Sequence, residues 1–301
     1  VGLPPKKAFY SKLKMAGVSD KEYKHAQKVY KYFNCKTFRD YHDLYLETDV
    51  LLLADVFEEF RKTSQEHHKL DPANYITIAS YAWDAMLLKT NIELELITDP
   101  KVLDIFEKSK RGGLCMVGAK RYVKANNKHI AGYDPKTRSS YLLYVDANNL
   151  YGWAMVQALP YKDIKLDNDV TIEQILATPD DNDTVYMVEI DISYPIELHD
   201  KFKQFPPCPE NIKPKEEWLS DYQRNLMKKN KTKLTPKLIP HLYEHKNYCI
   251  HYRNLKFVKE LGCELGTLHN VVSFTQKKWL EPYILHNNKL RTKAKNDFEK
   301  D

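Results

Sequence analysis

One stretch constrains this chain more than any other: Tyr141-Leu-Leu-Tyr-Val-Asp-Ala-Asn-Asn-Leu-Tyr-Gly-Trp-Ala-Met155. Tyr141 to Val145 are aromatic, leucine or β-branched, which predicts a buried strand. The run ends on a single carboxylate, Asp146. Ala147, Asn148 and Asn149 then supply turn chemistry, and Leu150 to Ala158 predict a helix. An acid at the end of a buried strand, followed by a polar turn, sits at the rim of a sheet, where a divalent ion can be held. Phosphoryl-transfer sites with two metals are built this way, because the attacking and leaving oxygens both need a fixed clamp. The same pattern also serves an ordinary strand-to-helix turn, with Asp146 as N-cap.

At 301 residues, the chain exceeds one typical domain, and two or three units are expected. Its 43% hydrophobic and 12% aromatic content suffices for real cores. No run of about eighteen apolar residues exists, so no membrane span is predicted. The first residues, Val1-Gly-Leu-Pro-Pro, lack an initiator Met and a signal-peptide layout, and the last lie inside a helix-like charged pattern; the expectation is a piece of a longer protein. Five scattered cysteines without a C-x-x-C pair suggest reduced thiols in an intracellular protein. The net charge of +6 hides a pattern: residues 141–200 hold 12 acidic against 2 basic side chains, and residues 201–301 hold 21 basic against 11 acidic. An acidic centre between basic segments suits a metal-dependent enzyme that holds a polyanion, and equally suits unrelated solvated faces.

Along the chain, Ser19-Asp-Lys-Glu22 offers a helix start, and Tyr41 to Leu70 predicts a long amphipathic helix on which Leu44, Leu51, Leu52, Val56 and Phe60 share a side. Within it, Tyr45 and Asp49 stand at i, i+4, so hydroxyl and carboxylate reach the same point. Ser109-Lys-Arg-Gly-Gly-Leu-Cys115 lets backbone approach a ligand closely at Gly112 and Gly113. Lys110 through Lys128 contain six basic residues, among them Lys110, Arg111, Lys120, Arg121 and Lys124, and no acidic one. Such a segment fits a nucleic-acid backbone, and fits a glycine turn in a basic hairpin equally well. Asp163–Asp183 reads as an acidic loop with a short helix. Val185–Ser193 alternates as a strand with Val188, Ile190 and Ile192 facing in, and Asn247–Arg253 as a strand before a helix from Leu255 to Leu261. His241, His245, Cys249 and His251 offer zinc-type ligands, with H-x-x-x-H at helical spacing; surface and core histidines close in sequence are the alternative.

Asp146-Ala-Asn-Asn-Leu-Tyr-Gly152 resembles the first palm motif of family B DNA polymerases, D-x-x-S-L-Y-P, in the version of the protein-primed viral and transposon branch. The resemblance implies that Asp146 binds catalytic Mg²⁺, with the Ala147 carbonyl as a further ligand. It also implies that Tyr151 lies under the incoming sugar and excludes a ribose 2′-hydroxyl. Ala147, Asn148, Asn149, Leu150 and Tyr151 together would then hold the nucleotide. Asn149 stands where the motif has Ser, and Gly152 where it has Pro. Tyr45-Leu-Glu-Thr-Asp49 is similar to the third motif of the proofreading 3′–5′ exonuclease that precedes the palm, which implies Asp49 as a metal ligand and Tyr45 as the group orienting the attacking water. Arg111-Gly-Gly113 looks like the family's Y-x-G-G element, which binds primer-template; Lys110 takes the tyrosine place. Lys289, Arg291, Lys293 and Lys295 resemble the cationic entrance to the fingers, which holds a triphosphate, and equally read as a solvated helical face.

The expectation is an α+β chain: residues 1–70 from the end of an RNase H-like exonuclease domain, 71–160 a palm segment, 161–274 an insertion resembling the first terminal-protein region, and 275–301 the first fingers helix. The implied partners are primer-template DNA, deoxynucleoside triphosphates and a protein primer, with two Mg²⁺ ions as cofactors. The motifs K-x-x-x-N-S-x-x-G and D-T-D of the family are absent from these 301 residues, so the segment alone is expected neither to polymerise nor to edit. A catalytically dead DNA-binding relic and an unrelated basic interaction protein are the other two readings.

Overall fold

The computed structural model describes residues 2–116 and 122–296. The chain forms two compact units, Val1–Lys89 and Thr90–Asp301. Its class is mixed α and β, as expected, with helices in both units and all the named strands in the second.

In the first unit the helices begin where the local chemistry directs. Ser19 and Glu22 form a reciprocal capping box at the start of α1 (Asp20–Tyr32), and Thr37 with Asp40 forms another at the start of α2 (Phe38–His68). Lys69, in the left-handed region, ends α2. Arg61 on α2 then bridges Glu58 at 2.8 Å and Asp71 at 2.6 Å. The next helix, α3 (Ile78–Thr90), buries Tyr81 among the ring edges of Phe60, His68 and Tyr75. Residues 71–89 therefore pack with residues 1–70 in one compact unit. The apolar side expected for α2 is covered only in part: Phe60 is half-buried, whereas Leu51, Leu52 and Val56 are exposed.

The second unit is built on a four-stranded antiparallel sheet. Its strands are β1 (Leu159–Leu166), β2 (Thr184–Ser193), β5 (His245–His251) and β6 (Glu264–Lys277), in the order β1-β6-β2-β5. The short strands β3 (Glu210–Ile212) and β4 (Lys237–Ile239) pair separately. The alternation in Val185–Ser193 does mark β2, but β2 lies between two neighbours and is covered on both faces. Besides Val188, Ile190 and Ile192, it buries Glu189 and Asp191. Those acids are paired: Asp191 accepts from the Asn247 amide at 2.9 Å, from His269 at 2.9 Å and from Lys246 at 3.3 Å, and Glu189 accepts from Asn270. Helices α4 (Pro100–Ser109), α6 (Ile172–Ala177) and α9 (Tyr252–Glu260) bring Val102, Ile105, Ile175, Tyr252 and Leu255 to the same core. Two further helices frame the candidate site, α5 (Leu150–Met155) and α10 (Glu281–Lys293). Between them in sequence lie α7 (Ile196–Phe202) and α8 (Asp221–Asn230).

The strand predicted at Tyr141–Val145 does not form. These residues have no regular secondary structure and join no ladder among the described residues, the nearest bridge being Asn126 to Ser140. Leu143 is 86% and Tyr144 95% exposed. A strand requires a hydrogen-bonding neighbour as well as an apolar sequence. In this sheet β6 and β2 pair with each other and with β1 and β5, and the Tyr141–Val145 run joins neither edge.

Candidate functional site

The turn after Tyr141–Val145 is ordered by its own side chains. Asn149 is left-handed (φ 50°) and caps α5, its side-chain oxygen accepting from the Gly152 amide at 3.2 Å. A Cβ on Gly152 would lie 2.4 Å from the Asn149 Nδ2. The two departures from the family motif therefore form one device: Asn tolerates the left-handed cap, and Gly supplies both the N–H and the space that Pro would deny. Asn149 also donates to the Asn288 side chain at 3.5 Å, across 139 positions of sequence. That contact belongs to the packing of α5 against α10. The acidic turn at Asp146, the exposed Tyr151 and the helix bearing Lys289, Arg291 and Lys293 are thus neighbours, with Lys295 just beyond the helix. Asp146, Ala147, Asn148 and Leu150 are exposed along the turn.

Among the described residues, no group of three or more ligand-type side chains includes Asp146 or Asp49. Asp146 offers a single exposed carboxylate; Mg²⁺ needs several oxygen ligands in octahedral geometry. Among the described residues, these side chains do not assemble a two-metal centre. In the first unit, Tyr45 and Asp49 are one turn apart on exposed helix, and the Asp49 carboxylate holds the Tyr45 hydroxyl above its ordinary pKa, by hydrogen bonding first and charge second.

The basic segment divides. Lys120 and Arg121 lie outside the described residues. Gly112, Gly113 and Lys124 are exposed, Gly113 with φ 75°. Lys110 is paired with Glu107 at 2.6 Å. Arg111 turns inward: its guanidinium lies 3.9 Å from the centre of the Tyr248 ring, and it donates to the carbonyls of Pro209 and Ser109. Arg111 thereby forms one wall of a cleft of about 490 Å³, which Lys108, Lys110, Lys246, Glu107 and Glu210 also line.

Behind Glu210 lies a cluster that the sequence only half disclosed. Nε2 of His241 is 3.0 Å from the Glu210 carboxylate, and the His241 and His245 rings stack at 4.3 Å, 9° from parallel. His245 is fully buried, and burial first, then the neighbouring His241, lowers its pKa to about 4. Ligand atoms of Glu210, His241 and His245 lie within 4.8 Å of one another, the one group of three or more among the described residues that could hold a metal ion. Cys249 and His251 are not in it; His251 instead packs on Tyr252 with ring centres 4.8 Å apart. The H-x-x-x-H pair does not sit on a helix: His241 is in the loop after β4 and His245 opens β5. Glu210 carries no sequence signal, being 31 positions from His241. It arrives because Glu210 pairs with Ile239 across β3 and β4.

No protein-family model, curated protein or solved structure matches the chain.

Proposed function

We propose that the chain is a segment of a protein-primed family B DNA polymerase. It would carry one catalytic carboxylate, a sugar-excluding tyrosine and a triphosphate-facing helix, with the end of a proofreading exonuclease in its first unit. The observation that supports this reading is the Asn149–Asn288 contact, which sets the Asp146 turn and Tyr151 beside the cationic helix α10. A nucleotide site needs that juxtaposition, because the sugar and the triphosphate of one ligand must be met together. In such a site Mg²⁺ would neutralise the triphosphate; Asp146 would be one of its ligands, Tyr151 would exclude the ribose hydroxyl by contact, and Lys289 with Lys293 would hold phosphate oxygens.

The test is binding rather than turnover. Fluorescence anisotropy of the 301-residue chain with a primer-template duplex should show affinity that falls steeply with salt. A fluorescent deoxynucleoside triphosphate should bind only with Mg²⁺ present and should be lost in Asp146→Ala, while DNA binding persists. Absence of salt-sensitive DNA binding would favour an unrelated basic protein. DNA binding with no nucleotide binding would favour the inactive relic.

A further inference from the structure

We propose that Glu210, His241 and His245 bind one divalent transition-metal ion of the zinc class, which clamps the β3–β4 pair onto the start of β5. The proposal does not depend on the polymerase reading. It starts from groups that lack good partners. Both ring nitrogens of the fully buried His245 and Nδ1 of the buried His241 lack a well-formed hydrogen bond, the backbones of Cys208 and Tyr243 acting only weakly on His245. A buried polar atom left without a good partner is costly, and a bound ion would relieve that cost. A neutral imidazole always has one nitrogen lone pair, and neutral His245 is the ligating form at neutral pH.

The donor set of two imidazoles and one carboxylate selects the ion. Mg²⁺ and Ca²⁺ take oxygen ligands, whereas imidazole suits zinc and its first-row neighbours. Aromatic side chains surround the histidines: Trp218 lies at 6.3 Å from His241, and Tyr194 and Tyr248 lie at 5.6 Å and 5.2 Å from His245, between ring centres. Such walls exclude water and strengthen ligand–ion attraction. Glu210 is the exception, 29% exposed at the cleft, and gives the ion its way in and a place for a completing water. With the rings stacked, their lone pairs lie in near-parallel planes and do not converge. Binding therefore turns one imidazole about χ2, and Glu210 exchanges its hydrogen bond to His241 for the metal. Three segments, β3 with Glu210, the loop after β4 with His241 and the start of β5 with His245, would then share one ion.

The experiment is a Zn²⁺ titration of the metal-stripped 301-residue chain against a chromogenic chelator, repeated with Co²⁺, whose visible bands report coordination. One equivalent of Zn²⁺ should bind and raise the unfolding temperature. Glu210→Gln and His241→Gln should each weaken binding by at least about tenfold, the lower end of what even outer-shell losses cost. Cys249→Ser and His251→Gln should bind as the parent does. Circular dichroism establishes that each variant is folded; should His241→Gln unfold, Glu210→Gln, altered at the accessible edge, decides. The proposal is overturned if the folded parent takes up neither ion, if Glu210→Gln leaves uptake unchanged, or if Cys249→Ser or His251→Gln abolishes it.

Discussion

Acid should destabilise the second unit through His251, and the size of the effect follows from its surroundings. The ring packs against Tyr252 and Phe274, and burial, reinforced by Arg253 and opposed by Asp180, lowers its pKa to about 4. An unfolded chain has its histidines near an ordinary pKa of about 6.5. As pH falls, the unfolded state takes up the proton first, so stability is full above the unfolded pKa and is lost as pH falls toward the folded one. Between pH 7 and pH 5 the difference between the folded and unfolded proton affinities removes about 2 kcal/mol, with little further loss below pH 4. Residual solvent access to the ring makes this an upper limit. Urea unfolding at stepped pH measures it, followed by tryptophan fluorescence, since Trp153, Trp218 and Trp279 lie in the second unit and only Trp83 in the first. His251→Gln lowers stability at pH 7 through lost packing but flattens the acid slope. His245 keeps its own contribution in both proteins, so the difference between the slopes isolates His251. Equal slopes in parent and variant, to within about 0.5 kcal/mol, would refute the assignment, because one site cannot be silent if its proton affinity changes on folding.

Other expectations follow from packing. Ile190, fully buried and paired with Tyr248 and Leu268, should lose about 2–5 kcal/mol on Ile190→Ala and about 0.5–1.5 on Ile190→Val, by urea titration. Gly152→Ala should displace Asn149 and cost about 1 kcal/mol of helix capping. In a double-mutant cycle with Asn149→Ala the two losses should not add, and additive losses would exclude the shared device. Arg111→Ala should destabilise by about 1–3 kcal/mol through the Tyr248 face and two carbonyls. Arg111→Lys should recover little of that, since an ammonium cannot reproduce the planar fork; full recovery would place its role in charge alone.

Local chemistry was legible where each element answers to its own residues. The capping box at Ser19, the long helix through Tyr45 and Asp49, the strand at Val185–Ser193 and the strand-then-helix before Leu261 all follow from caps and periodicity that need no distant partner. The turn chemistry at Ala147–Asn149 was also visible, although the helix after it ends at Met155. The apolar run before it was not a reliable guide. Five strand-forming residues specify a strand only when a neighbour offers its backbone, and that is a property of sheet order, here β1-β6-β2-β5. The same limit applied to the metal-type cluster. His241 and His245 could be named from their spacing, and Cys249 and His251 with them. Which of the four converge, and that Glu210 joins them, was decided by β3 pairing with β4 and by β5 placing His245 inside the core. The capped helices, the turn at Asp146 and the mixed α and β class follow from residues close together along the chain. Tertiary structure decided which polar atoms meet, because convergence depends on the register of strands far apart along the chain.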